Sequence, residues 1–429
     1  MTQNNTRKNI SSLYTWIIPI ILFAKIVRWT VMYAKLVEMS IGNGMVDRIM
    51  MHAYSFGIAG LSDMTNAGNL TERNAGALFD LINVFGITTP VGWEILFTVI
   101  FNILVIQAAQ DFYRRTPSAG TRENLFIYLG IAILNIFCFN MSKEPYQMLF
   151  FFLMAWAIKK GDGYKNKCIL LSVAILITVL FSRKYYGLVL IYFFILQYVV
   201  RHLFDNIDFS TSDGRKLLVK NLLYSAVIIA VCHFFLLSFL ATNNEDTYQE
   251  MMDANYRDMK RASVADSEIV PIFDKGNPLF AAMDYGIKIF RLMFPIELLL
   301  KGKVTYIFLV AFQTFLALFI GNAFIRRNGD NEEEGEEVDD EEIEDEDEED
   351  DSEEEDEEEE TEQEDSSDDE EEEEDLEAIA AFEEDRRDTR TAALYLYLAF
   401  LLCSAAFEPD FGSWIRHEGI TFPILLLIM

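Results

Sequence analysis

Apolar runs recur along the whole chain, separated by short charged segments. A helix that crosses bilayer hydrocarbon needs roughly 20 mostly apolar residues. The runs at 13–35, 92–110, 124–140, 145–158, 168–182, 186–200, 217–241, 303–325, 391–407 and 419–429 are read as spans. The pattern predicts an all-α, polytopic integral membrane protein with about ten transmembrane helices. Residues 278–300 depart from it: Asp284, Lys288, Arg291 and Glu297 interleave with apolar positions, as in an amphipathic helix at the interface. The first run is read as a retained span, since Lys25 and Arg28 interrupt it and no small-residue cleavage site follows. The last run, Ile420–Met429, would reach only about 15 Å as helix. It is expected to be either the end of a truncated product or a half-span lodged beside other helices.

Composition changes this picture in one place. The chain is 51% hydrophobic yet carries a net charge of -33. Asp330–Asp375 holds 37 of the 68 acidic residues and no Lys or Arg, leaving 31 acidic against 35 basic residues elsewhere, a net of +4. The chain therefore divides into a membrane part at 1–327, an acidic insert at 328–390 and final spans at 391–429. The insert has too few apolar residues to bury a core and is expected to be disordered. It is either a docking tail for basic partners or cations, or a solvated expansion without a role in chemistry.

Lys and Arg in short loops set the orientation. Arg7 and Lys8, then Arg114, Arg115 and Arg122, then Lys159, Lys160, Lys165 and Lys167, then Arg201, Arg215 and Lys216, and finally Arg326 and Arg327 all fall on one side if the spans alternate. That side is expected to be cytoplasmic, and with it the N-terminus and the acidic insert. The outer segments, with long loops at about 37–91 and 242–302, then hold a second set of charges. Asp47 and Arg48 lie in the first loop, Lys143 and Glu144 between spans three and four, and Arg183, Lys184 and Tyr186 between spans five and six. Arg291 follows, and "EPDFGSWIRHEG" supplies Asp410, Arg416, His417 and Glu418 before the last run.

Cations on the side that usually lacks them point to an anion, and the planar fork of Arg suits a phosphate or diphosphate. Nearby Tyr and Trp suit a sugar ring or the headgroup level. Plainer roles exist for each residue. Lys143 and Arg183 can snorkel to the interface, and Arg416 can simply pair with Glu408, Asp410 or Glu418. Asp47 can cap a helix or pair with Arg48, and His417 can be a structural hydrogen-bond donor. Cys138, Cys168, Cys232 and Cys403 lie in or beside apolar runs and read as small buried hydrophobes. The four histidines lack metal-ligand spacing. No cofactor is expected, with a divalent cation left open, and nothing calls for nucleic acid.

Four pieces together, "MSKEPY" (141–146), "SRKYYG" (182–187), "RLMFPIELLLKG" (291–302) and "DFGSWIRHEG" (410–419), resemble the bacterial polysaccharide repeat-unit polymerases, often called Wzy or O-antigen polymerases. The resemblance covers the membrane part and not the insert. It implies an inverting, GT-C-like membrane glycosyltransferase that joins oligosaccharides carried on undecaprenyl diphosphate at the outer face of the cell membrane. By position, Arg183 and Arg416 would contact the diphosphate and Lys143 would assist. Lys184, Tyr186, Arg291 and Asp410 would contact substrate. An outer carboxylate (Asp47 or Glu144) or His417 would help deprotonate the acceptor hydroxyl, and Asp63 is the other early Asp. Membrane lipid and other polysaccharide assembly proteins are the implied partners. The chemistry agrees, because displacing a diphosphate from an anomeric carbon develops charge that preorganised cations stabilise. No nucleotide-binding glycine motif is present, and no cytoplasmic carboxylate pair of the DxD kind lies outside the insert, which favours a lipid-linked donor. The competing readings are a single-sugar lipid-linked glycosyltransferase, a lipid-linked oligosaccharide flippase or transporter, and a membrane acyltransferase using His417.

Overall fold

The computed structural model describes residues 2–41, 65–66, 70–203, 212–243, 269–270, 272–273, 278–302, 304–336, 366–408 and 410–429. Among these the chain is helical, without β-strands. The helices are α1 (Thr2–Ile41), α2 (Leu70–Ile82), α3 (Pro90–Arg115), α4 (Thr121–Ile133), α5 (Lys143–Lys160), α6 (Gly163–Phe181) and α7 (Tyr186–Leu203). They continue as α8 (Ser212–Asn243), α9 (Pro278–Met293), α10 (Val304–Glu336), α11 (Ser366–Phe407), α12 (Phe411–Gly419) and α13 (Phe422–Ile428).

Local signals explain several boundaries. Thr89 caps α3, accepting from the Gly92 N–H, with Pro90 in the first turn, where its missing N–H costs nothing. Glu123 reaches back to the Gly120 N–H at 2.8 Å to open α4. The end of α4 widens into a π-turn, Leu134–Cys138. Pro295 separates α9 from the 3-10 turn Ile296–Lys301, which closes on Gly302 at φ 66°. The single amphipathic helix expected over 278–300 is thus two short pieces, because a proline cannot continue the ladder.

Among the described residues, six helical segments are long and apolar enough to cross a membrane: Asn5–Val31, Pro90–Arg115, Thr121–Cys138, Gly163–Phe181, Tyr306–Ala323 and Ile379–Ala406. The apolar part of α7, Tyr186–Val200, is shorter. The most apolar window of α11 is 78% buried and that of α1 only 17%, so α11 is the axis of the bundle and α1 lies at its rim. Around α11 pack α6, α7, α9, α10 and α13. The last apolar run is buried beside α3, α5, α10 and α11. Contact there is close: a Cβ on Gly130 of α4 would stand 2.1 Å from the Phe422 ring.

Residues 337–365, the middle of the acidic insert, lie outside the described residues. Its flanks continue as helix, Asp330–Glu336 closing α10 and Ser366–Asp375 opening α11. Acidic residues suit the first turns of a helix, where the dipole is positive.

The bundle has two polar ends. At one, Asn9 of α1 donates to the Ala119 carbonyl, Lys159 pairs with Asp111, and Lys167 pairs with Asp385 at 2.6 Å. These contacts gather the start of α1, the α3–α4 and α5–α6 connections and the approach to α11, so basic segments far apart in sequence share this end. The other end collects residues 139–144, 181–186 and 408–418, with α2 tied to it by Thr71 Oγ1 donating to the Ser182 carbonyl at 3.0 Å.

Candidate functional site: a buried charge cluster at one end of the bundle

The short helix α12 organises this second end. Asp410 caps it, accepting from the Ser413 N–H at 2.9 Å. Trp414 is fully buried and stacks on Phe400 of α11, fixing the helix against the axis. Gly419 allows a close approach to the π-turn, since a Cβ there would lie 3.0 Å from Cys138 Sγ. The Cys138 thiol also donates to the Arg416 carbonyl at 3.6 Å.

Successive residues on a helix point about 100° apart, as 3.6 residues make one turn. The triplet Arg416-His417-Glu418 therefore faces three ways. Arg416, one quarter exposed, lies 3.9 Å from the buried Glu144 at the start of α5, and its Nε donates to the Gly412 carbonyl at 3.2 Å. His417 pairs through Nδ1 with Glu408 at the end of α11, both buried. Glu418 turns into the core, where the Tyr397 hydroxyl donates to it at 2.6 Å and Gln313 of α10 provides a second contact.

Around this triplet stand two more cations. Lys143 opens α5 and lies 3.8 Å from Glu72 of α2. Arg183 sits in the α6–α7 turn over the Tyr185 ring, its guanidinium carbon 5.3 Å from the ring centre, and donates to the Tyr185 hydroxyl at 3.2 Å. The charges of Arg183 and Arg416 reach Lys143, and those of Arg183 and Lys143 reach His417.

Burial opposes every charge here, and the neighbours decide each outcome. For Glu144, burial raises the pKa, but the charges of Arg416 and Lys143 outweigh it and hold it at about 2. Glu408 is likewise raised by burial, yet His417, the Ser413 hydroxyl and Arg183 bring it to about 2. His417 is lowered by burial despite Glu408. A neutral ring whose Nδ1–H is held by Glu408 leaves Nε2 as a proton acceptor. Glu418 is raised by burial, against the hydrogen bond from Tyr397, to about 8, so it holds its proton at neutral pH. Lys143 is lowered, chiefly by burial and then by Arg183.

Several buried polar atoms beside the cluster have no hydrogen-bond partner among the described residues: both amide atoms of Gln147, Ser182 Oγ and Arg183 Nε. Gln147 follows Lys143 by one helical turn on α5, so its amide is carried on the same stretch of helix. Orphaned donors and acceptors of this kind are rare in finished cores. They provide sites for the hydroxyls and oxyanions of a ligand.

Of the residues singled out in the sequence, Lys143, Glu144, Arg183, Arg416 and His417 meet here, and Asp410 supports them as a cap. Lys184 is exposed on the same turn as Arg183. Tyr186 is buried, stacked between Tyr185 and Phe400, and is placed in the core rather than at the surface of the cluster. Arg291 pairs with Glu297 at 2.7 Å and donates to the Val270 carbonyl, so its recorded contacts are local to its own segment. Asp47 and Asp63 lie outside the described residues. Among the described residues no group of three or more His, Cys, Asp or Glu is arranged to hold a metal ion.

Sequence reasoning missed a second charged group beside the cluster. Glu94 of α3 accepts from Lys25 Nζ at 2.9 Å and Arg28 Nε at 2.8 Å, while these α1 cations also donate to the Phe139 and Ile136 carbonyls around the π-turn. The π-turn leaves carbonyls outside the regular ladder, and the two cations take them up. Lys25 and Arg28 were visible as interruptions of an apolar run, and Glu94 as a lone acid in another. The pairing itself was not.

The chain matches no family model, no curated protein and no solved structure.

Proposed function

We propose that the protein is a membrane glycosyltransferase that polymerises oligosaccharide repeat units carried on undecaprenyl diphosphate into a capsular, exo- or O-antigen polysaccharide. The observation that supports this most is the gathering of Arg183, Arg416 and Lys143 with unsatisfied polar atoms at one end of an apolar helical bundle. In the reaction an acceptor hydroxyl oxygen attacks the anomeric carbon of the donor sugar. The bond from that carbon to the diphosphate oxygen breaks with inversion, and the electron pair leaves with the lipid diphosphate. Arg416 and Arg183 stabilise the leaving charge through bidentate bonds, and Lys143 adds a point charge. His417 Nε2 takes the acceptor proton, with Glu408 as the positioning residue that fixes the tautomer. Glu144, held ionised by its neighbours, orients Arg416 and is a poor base.

In this reading about ten segments cross the cell membrane, α5, α7 and α8 among them. The N-terminus and acidic insert face the cytoplasm and the cluster faces outward. Lys184→Cys should then react with an impermeant maleimide on intact cells, and Lys160→Cys only after permeabilisation; the reverse pattern would overturn the topology. The functional test is lipid-linked product analysis in a strain lacking the gene. Single repeat units should accumulate on the lipid and regain length with the wild-type chain but not with Arg416→Ala. Accumulation of units one sugar short would indicate a single-sugar transferase instead. Lipid-linked units trapped on the cytoplasmic face would indicate a flippase.

A further inference from the structure

The basic end of the bundle carries a feature unrelated to the charge cluster. A groove of about 170 Å³ runs between α3 and α5 with α13 as its floor. Its depth is apolar, lined by Leu104, Phe152 and Leu426, and its mouth holds Asp111, Arg115 and Lys159. Three observations define what fits it.

Arg115, in the last turn of α3, has its Nε buried and without a hydrogen-bond partner among the described residues. The carboxylate one turn before it, Asp111, is paired with Lys159, and the next acidic neighbour, Asp385, is paired with Lys167. Arg386 adds a further positive charge close to Arg115. The mouth therefore holds two cations, Arg115 and Lys159, and an Arg115 Nε without a hydrogen-bond partner among the described residues. Finally, the groove opens onto apolar surface, with Trp156 of its wall 53% exposed. A soluble anion would satisfy Arg115 and leave the apolar floor bare. A lipid without phosphate would cover the floor and leave Arg115 Nε without an acceptor, and the choline of a zwitterionic lipid would bring a further cation to a mouth that already holds Arg115 and Lys159.

We propose that this groove binds one anionic phospholipid, its phosphate on Arg115 and an acyl chain along Leu104, Phe152 and Leu426. Basic pockets between membrane helices at a basic end are suited to such headgroups. The site does not depend on the activity proposed above.

The test uses the full chain purified in mild detergent, with phosphatidylglycerol, phosphatidylcholine and inorganic phosphate as probes. Phosphatidylglycerol should raise the melting temperature, and native mass spectrometry should find a single lipid retained. Arg115→Gln should weaken that retention about tenfold, the worth of a charged hydrogen bond, whereas Arg114→Gln on the exposed side should not. Leu104→Trp, at a half-buried position of the wall, should also abolish retention while melting normally in phosphatidylcholine, which keeps the test informative should Arg115→Gln fold poorly. Equal retention of phosphatidylcholine, an equal shift with inorganic phosphate, or indifference to both substitutions would overturn the proposal. So would a lipid effect seen only after deletion of 337–365, because the acidic segment would then be the natural occupant.

Discussion

The two polar ends of the bundle differ in how deeply their carboxylates are buried. At the basic end Lys167 is fully buried, but the carboxylates Asp111 and Asp385 are 40% and 56% exposed, and water screens the Lys159–Asp111 pair. At the cluster end, Glu144, Glu408 and His417 have side chains between 3% and 8% exposed. Exposed pairs contribute about 0–1 kcal/mol, whereas taking charges out of water costs several kcal/mol per ion before attraction offsets it. A fold that needed only polar caps for its helices would arrange both ends like the first. The proposed function would use the second arrangement, because a diphosphate leaving group calls for dry, preorganised charge. Net charge at an end is thus a weak guide, and burial of that charge a strong one.

The comparison can be broken first where burial is deepest. Glu94→Gln leaves Lys25 and Arg28 facing each other without their shared carboxylate, and should destabilise the protein by about 3–5 kcal/mol. Thermal unfolding in detergent and membrane abundance are the measurements, and wild-type values for both would mean that the α1–α3 charges are not structural. Next in size is Arg416→Ala, expected to lower polymer output by a factor equivalent to ~2–4 kcal/mol at matched membrane abundance. Arg416→Lys, with the charge but not the fork, should fall between it and wild type. Undiminished output from Arg416→Ala would reduce the arginine to a partner of Glu144.

A smaller effect concerns pH, and the sign distinguishes two neighbours in the cluster. Glu144 is held at about 2 against an ordinary 4.5, so its contribution to stability is present above 4.5 and is lost as pH falls toward 2. Glu418 is raised from 4.5 to about 8, so the folded state keeps a proton that the unfolded chain releases, and stability declines as pH rises between those values. Glu418→Gln should flatten that decline. Melting temperatures at pH 5 and pH 9 will show it, and an unchanged slope would mean that Glu418 is ionised in the fold. The smallest effect belongs to the basic end: Lys159→Ala should change stability by less than about 1 kcal/mol, readable as a melting shift of a degree or two at most.

Much of the cluster was legible because charge in a short segment between apolar runs can lie only at a helix end. That logic brought Lys143, Arg183 and Arg416 to one end, and it grouped the basic segments at the other. It could not give the partner of any of them. His417 meets Glu408 because the chain reverses between α11 and α12, and Arg416 meets Glu144 across a separation of hundreds of residues. Glu418 was grouped with Arg416 by adjacency, whereas helical geometry turns it inward to Tyr397 and Gln313. Tyr186 read as an outer aromatic because it sits in the charged segment between two apolar runs, yet it packs inward between Tyr185 and Phe400. The last apolar run was expected to be a truncated end or a half-span, and only the packing of its neighbours reveals that it fills a socket.

That socket has a consequence for how the protein is made. α13 is synthesised after every helix that surrounds it, and Gly130 must already be in position for the Phe422 ring to seat. Until then α3, α4, α5 and α11 border an apolar gap inside the bundle. A nascent chain halted before Phe422 would carry the helices that build the socket without the segment that fills it.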